Sequence, residues 1–139
     1  KAAYIICQNE EYRYKIDRQV NINEICDLSP FGVAATVAAY TECDDWMYEL
    51  NDYIQDNYHY LVEFFKTNFK DFKVAKLEST YLAWVDCSSV NLTWGKVYLN
   101  DGKMYHAPKE GFVRINLGCP RALLKEALLR FKECFSKKA

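Results

Sequence analysis

The chain has little of what bends or staples a protein. It holds five glycines, three prolines, two histidines and no cysteine pair at C-x-x-C spacing in 139 residues. Glycine and proline are the strongest local breakers of regular structure. Their absence from residues 33–72 leaves nothing to interrupt one long helix, or two consecutive ones, ending near Phe69. Six cysteines are scattered singly (Cys7, Cys26, Cys43, Cys87, Cys119 and Cys134), with only His59 and His106 to join them, so no zinc site is expected. Most fall inside apolar segments and read as small buried hydrophobes of a reducing, cytoplasmic protein. An excess of one charge is also lacking. Lys and Arg number 18 and Asp and Glu 19, the net charge is −1, and no basic stripe marks a nucleic-acid surface. No apolar run approaches the roughly 20 residues that span a bilayer, and no signal peptide, repeat or low-complexity segment is recognisable.

What is present is a globular composition. Half the residues are hydrophobic and 16% aromatic, in a chain long enough for one domain with its own core. The apolar run over residues 2–7 starts with no preceding turn and reads as a buried strand. A strand cannot satisfy its backbone alone, so its neighbours are expected earlier in sequence and the chain is expected to be a piece of something larger. Residues 9–20 are charged and predict a solvated helix. Ser29 as N-cap and Pro30 at the first helical position open another. Residues 33–40 are apolar on nearly all sides and are expected to be well buried. Asp44 and Asp45 favour a new helical start, after which Trp46, Leu50, Tyr53, Ile54, Leu61, Val62 and Phe65 recur at helical spacing.

Strands are predicted over residues 73–77 and 80–87, the second with so little alternation that both its faces should be covered. A short strand over 97–99 leads into the turn signal Asn100-Asp101-Gly102. Pro120 starts a last helix with Leu123, Leu124, Ala127, Leu128, Phe131 and Phe135 along one stripe.

Before that helix, residues 111–119 read as a strand. Side chains alternate along a strand, so Val113, Ile115, Leu117 and Cys119 share an apolar face and Phe112, Arg114, Asn116 and Gly118 the opposite one. An Arg–Asn pair beside a small residue, facing away from the core, suits a carboxylate, which guanidinium grips through two parallel hydrogen bonds. On the strand pattern alone, Arg114 is either such a ligand-binding residue or a surface or structural arginine. Arg121 follows Pro120 in the first helical turn, where a cation sits badly with the helix dipole. It reads as structural, paired elsewhere.

Five pieces, in order, carry a resemblance: Lys1-Ala2-Ala3-Tyr4-Ile5-Ile6; Ser29-Pro30-Phe31-Gly32 with Ala38-Ala39-Tyr40-Thr41; Glu78-Ser79-Thr80-Tyr81-Leu82-Ala83-Trp84-Val85-Asp86; Leu99-Asn100-Asp101-Gly102 with Tyr105; and Gly111-Phe112-Val113-Arg114-Ile115-Asn116-Leu117-Gly118-Cys119-Pro120-Arg121. Together they resemble the C-terminal part of a pyridoxal-phosphate enzyme of fold type I, in the class I/II aminotransferase family and its cystathionine β-lyase-like C–S lyase branch. The resemblance implies an α/β protein whose small C-terminal domain is α+β, with a long interdomain helix and a small sheet covered by helices. It places residues 1–28 at the end of the large domain, 29–69 in the interdomain helical segment and 70–139 in the small domain. It implies an amino-acid substrate, a homodimer, and pyridoxal 5′-phosphate bound mainly by residues upstream of this chain, the Schiff-base lysine among them. It gives Arg114 the substrate α-carboxylate and assigns no catalytic, cofactor-binding or metal-binding residue here.

The reaction implied is release of a thiolate from the β-carbon of an S-substituted cysteine such as cystathionine, leaving pyruvate and ammonia. A transaminase is the alternative within the class, and a non-catalytic domain that binds amino acids or a protein is the alternative outside it. Two departures stand out. The family carries a helix between residues 89 and 97 where this sequence has a short bridge: either the helix is deleted or residues of the molecule are omitted, and the close match of the flanking strands favours omission. His106 stands where glycine is usual, either as a surface change or as a residue that narrows the substrate pocket.

Overall fold

A computed structural model describes residues 3–24, 27–90 and 97–136, with side chains through Cys134. Cys26, the bridge over residues 91–96 and the side chain of Phe135 lie outside the described residues. The chain divides into two compact units, Lys1–Tyr48 and Glu49–Ala139.

In the first unit, residues 3–9 have no regular structure, and Tyr4, Ile5 and Ile6 are exposed. The buried strand expected over residues 2–7 is therefore not formed over its described part, residues 3–7. No strand among the described residues offers that segment a partner, and an unpaired strand leaves its backbone groups unmet. Helix α1 is Glu10–Asn21, as its charge pattern predicts, and Asn9 caps it by accepting the Tyr12 N–H at 3.0 Å. Helix α2 is Pro30–Glu42, with Pro30 in its first turn. Contrary to expectation it has no buried residue, and Phe31 is 86% exposed. A helix apolar on all sides is buried only where other elements surround it. Here α2 meets chiefly the segment around Tyr4, whose hydroxyl lies 2.5 Å from that of Tyr40. The helix stops at Cys43, and α3, Asp44–Asn68, follows at once, so the uninterrupted stretch is two consecutive helices.

The second unit holds a four-stranded antiparallel sheet and the helices that cover it. Strands β1 (Lys73–Val74), β2 (Leu82–Asp86), β3 (Asn100–Asp101) and β4 (Phe112–Asn116) lie in the order β1-β2-β4-β3. Helix α4, Arg121–Ser136, closes the chain's described part. One sheet face carries Ala83, Val85, Val113 and Ile115, with Cys87 and Leu117 just beyond the strand ends. It forms one core with Ile54, Leu61 and Phe65 of α3 and Leu124, Leu128 and Phe131 of α4. Phe65, Phe69, Phe72 and Phe131 pack ring against ring, Phe69 stacking on Phe72 at 4.7 Å. Each buried Leu or Phe side chain contributes about 1.5–3 kcal/mol, which is why this unit is held by its own core.

Several expected boundaries shift. Strand β2 alternates after all: Ala83 and Val85 are buried while Leu82, Trp84 and Asp86 are half-buried. Its apolar look comes from the outer face, where Trp84 stacks on Phe112 at 5.6 Å, each shielding the other. The strand expected over 97–99 is displaced onto Asn100–Asp101, which pair with Arg114 and Val113. Strand β4 ends at Asn116 because the Asn116 side chain turns back to accept the Gly118 N–H at 2.8 Å. Cys119, beyond the strand end, still packs against the core but is only half-buried. Among the described cysteines, only Cys87 is fully buried. Burial, with the Asp86 charge beside it, pushes its thiol up to about 12. In α4, Leu123 turns to solvent while Leu124, Leu128 and Phe131 hold the core stripe.

Candidate functional site

The outer face of the sheet gathers aromatic rings around a single arginine. Along one cross-strand row, Arg114 of β4 stands between Trp84 of β2 and Asn100 of β3, its register partners on either side. After β3 the chain makes a 3-10 helical turn, Gly102–Tyr105, whose start is capped by Asp101 accepting the Lys103 N–H at 2.9 Å. Gly102 lets that turn lie directly on β4, since a Cβ there would come within 2.5 Å of the Phe112 Cβ. The turn thereby delivers Tyr105, whose ring centroid lies 4.3 Å from the Arg114 guanidinium carbon. Tyr105 is itself edge-on to Trp84 at 6.1 Å. Guanidinium over an aromatic face is an attractive arrangement that also fixes the plane of the fork.

The Asn100 amide, oriented so that both its ends find suitable partners, presents its oxygen to Arg114 Nη2 at 2.5 Å and to Nε at 3.3 Å. Arg114 is half-buried, and among the described residues no carboxylate pairs with it. The acids on the neighbouring strand and in the turn before β4 have other partners. Asp86 accepts the Ser88 N–H at 2.9 Å and meets Lys109 Nζ at 3.3 Å. The hydrogen bonding to Ser88, joined by the Lys109 cation, holds its carboxyl below the ordinary value despite partial burial. Glu110 meets Lys103 at 2.6 Å and raises the Lys103 ammonium above its ordinary value. Buried charge is ordinarily paired. A half-buried guanidinium held by a neutral amide and a ring face, with no carboxylate partner among the described residues, is suited to a planar anion.

The sequence therefore places Arg114 correctly on the outer face, but the asparagine beside it is a different one. Asn116 spends its side chain on the turn that ends β4, and Asn100, from the neighbouring strand, takes the place beside the guanidinium.

Arg121 is structural, and its partner is a residue that periodicity passes over. Asn57, fully buried in α3, accepts from Arg121 Nε at 2.5 Å and donates to the carbonyls of Leu117 at 2.9 Å and Cys119 at 3.0 Å. The Arg121 guanidinium also lies 5.1 Å from the Tyr60 ring centroid, and the Arg121 backbone N–H donates to the Tyr53 hydroxyl at 2.7 Å. The signal was available: Ile54, Asn57, Leu61 and Phe65 fall in one helical row, and a polar residue in a buried row needs partners.

His106 is exposed and adopts a left-handed backbone, φ 54° and ψ 40°, with its N–H directed at the carbonyls of Gly102 and Lys103. Glycine is favoured at such a turn end because it meets no Cβ penalty there.

No family model matches the chain. Among curated proteins, it is 33% identical over 146 residues to cystathionine beta-lyase PatB of Bacillus subtilis (strain 168), over 98% of this chain and 38% of that protein. Among solved structures, the pyridoxal-phosphate-bound C-S lyase from Staphylococcus hominis complexed with L-cycloserine superposes with a TM-score of 0.78 and 30% identity, over 92% of this chain and 33% of that one. Cystalysin from Treponema denticola, which contains pyridoxal 5′-phosphate, superposes with a TM-score of 0.88 over 96% of this chain and 36% of that one. At 23% identity this last likeness bears on the fold alone. The chain thus spans about a third of the length of these proteins.

Proposed function

We propose that this chain is the C-terminal part of a cystathionine β-lyase-like pyridoxal-phosphate enzyme of fold type I, and that it supplies the substrate-carboxylate arginine of a C–S β-lyase. The observation that carries the reading is Arg114: half-buried, held on one edge by Asn100 and on one face by Tyr105, and without a carboxylate partner among the described residues. The substrate class is an S-substituted L-cysteine such as cystathionine, with a thiol, pyruvate and ammonia as products.

Pyridoxal 5′-phosphate supplies the electron sink that such a reaction needs. No described lysine of this chain is set up to hold it. Every described lysine is exposed, and Lys15, Lys66, Lys76, Lys103 and Lys109 are engaged in surface ion pairs. The cofactor's lysine is assigned to the part of the enzyme that this chain does not match. Arg114 accordingly binds and orients. Two parallel hydrogen bonds to the α-carboxylate remove the freedom of the amino acid to rotate about its own axis, which fixes where its α- and β-carbons lie. On the same reading, residues 1–28 close a larger domain, 29–69 form the interdomain helical segment and 70–139 the small domain. The enzyme is a cytoplasmic homodimer.

In the protein that carries this chain, Arg114→Ala is expected to raise KM for L-cystathionine by roughly 30-fold to several thousand-fold, the loss of about 2–5 kcal/mol that follows removal of one partner of a buried charged pair. Cofactor absorbance should be retained. An unchanged KM would reject the assignment. Pyruvate release from L-cystathionine identifies a lyase, whereas amino-group transfer to a keto acid without pyruvate identifies a transaminase. A purified protein with no cofactor absorbance and no turnover would favour a binding domain.

A further inference from the structure

We infer that Asn100 is a positioning residue for Arg114, that it leaves only the Nη1–Nη2 edge of the guanidinium for an end-on carboxylate, and that its neutrality is what keeps the site open. The inference rests on the reading of Arg114 given above and adds to it the residue that orients the arginine.

The geometry comes first. Asn100 and Arg114 are register partners on adjacent antiparallel strands, so their side chains share the outer face as neighbours. The Asn100 oxygen sits at the Nε–Nη2 edge, at 3.3 Å and 2.5 Å. Tyr105 lies against one face of the guanidinium at 4.3 Å. With one edge and one face taken, the remaining donors are on the Nη1–Nη2 edge, where two N–H groups run parallel at a spacing that matches the two oxygens of a carboxylate. No described residue accepts from that edge.

The chemistry of the partner follows. A carboxylate in the place of the Asn100 amide would form its own two-point ion pair with the same guanidinium and cancel the charge that a ligand needs. An amide oxygen orients the fork and leaves the full positive charge in place. The competing explanation for an asparagine here is turn formation, because Asn100-Asp101-Gly102 is a turn sequence. That task falls to its neighbour: Asp101 Oδ1 accepts the Lys103 N–H that starts the 3-10 turn, while the Asn100 side chain points to Arg114.

The test uses the cofactor-loaded protein that carries this chain and reads binding by calorimetry. The probes are L-alanine, which has a carboxylate and no β-leaving group, and L-alaninamide, which lacks the carboxylate. Asn100→Ala is expected to weaken L-alanine about tenfold, as the loss of one orienting hydrogen bond to a charged group does. Asn100→Asp, nearly isosteric, is expected to weaken it about 100-fold or more by pairing with Arg114. L-Alaninamide binding should move less than about twofold in both, which a general loss of structure would not produce. In an Arg114→Lys background, Asn100→Ala should add little, because an ammonium has no fork to orient. If Arg114→Lys leaves L-alanine binding unchanged, the reading of Arg114 itself fails. If Arg114→Lys weakens L-alanine while Asn100→Ala and Asn100→Asp do not, this inference is overturned and that reading stands. Equal losses in Asn100→Ala and Asn100→Asp would overturn the role given to neutrality.

Discussion

Two arginines stand close in sequence at the end of the sheet, and their surroundings differ in the one respect that separates structure from binding. Each has an asparagine oxygen as its near partner and a tyrosine ring beside its guanidinium. Around Arg121 the asparagine is fully buried and makes three hydrogen bonds, two of them to the backbone of the loop it holds. Around Arg114 the asparagine is exposed and on an edge strand, and its oxygen meets only the Nε–Nη2 edge of the fork. The same pair of residue types therefore closes one region and leaves the other open. What differs is where each asparagine is anchored: Asn57 in the middle of a helix packed against the sheet, Asn100 in a two-residue strand at the sheet's edge.

The sharpest way to break this contrast is at Asn57. Its amide ties α3 to the Leu117 and Cys119 carbonyls and to Arg121 Nε. Asn57→Ala leaves the buried Leu117 carbonyl, the part-buried Cys119 carbonyl and the part-buried Arg121 Nε without this partner, and each buried group so stranded costs about 1–3 kcal/mol. The expected destabilisation is about 3 kcal/mol, read as a lowered urea midpoint. Asn57→Asp should be no better, because it keeps an acceptor for Arg121 but sets carboxylate oxygens against two carbonyl oxygens. A loss below about 0.5 kcal/mol for Asn57→Ala, the size of an ordinary surface change, would mean that the loop is held by other contacts and that the two regions are not different in kind.

A crossed pair of variants comes next in size. Arg121→Ala should lower stability by about 1–2 kcal/mol, since it strands the Asn57 oxygen, and should leave L-alanine affinity as it was. Arg114→Ala should show the reverse pattern, with a large loss of affinity and a stability change within about 0.5 kcal/mol. Urea unfolding and calorimetry on both variants decide it. If Arg121→Ala weakens L-alanine as strongly as Arg114→Ala does, the division between the two arginines is wrong.

How much of this was legible follows from where each signal lies. The first helix announces itself through its charged pattern, and Pro30 and Asp44 open the next two, so all three are found with boundaries close to those observed. Arg114 was legible because strand alternation alone puts it opposite Val113 and Ile115. Asn100 as its partner was not, because cross-strand register depends on an intervening turn that local pattern does not fix. Asn57 was passed over because attention to apolar spacing skips the polar member of a buried row. The expectation that residues 33–40 are buried fails for a different reason. An all-apolar helix states that a cover is needed, and residues of the first unit cover α2 only in part.

The smallest effect tests the turn that brings Tyr105 to Arg114. That turn ends at His106 in the left-handed region, φ 54° and ψ 40°, with the side chain exposed. An L side chain in that conformation costs about 1 kcal/mol that glycine does not incur. The counter-effect is that glycine widens the unfolded ensemble, which histidine restrains. Because the native φ is positive, the strain should outweigh the entropy, and His106→Gly is expected to raise stability by about 0.5 kcal/mol while L-alanine affinity stays unchanged. The outcome discriminates between the two readings of this position. A more stable variant with the same affinity makes His106 a tolerated surface residue that leaves strain beside the open arginine. A weaker L-alanine affinity in His106→Gly would give the imidazole a place in the ligand pocket, and the open region would then be defined by three side chains around Arg114 instead of two.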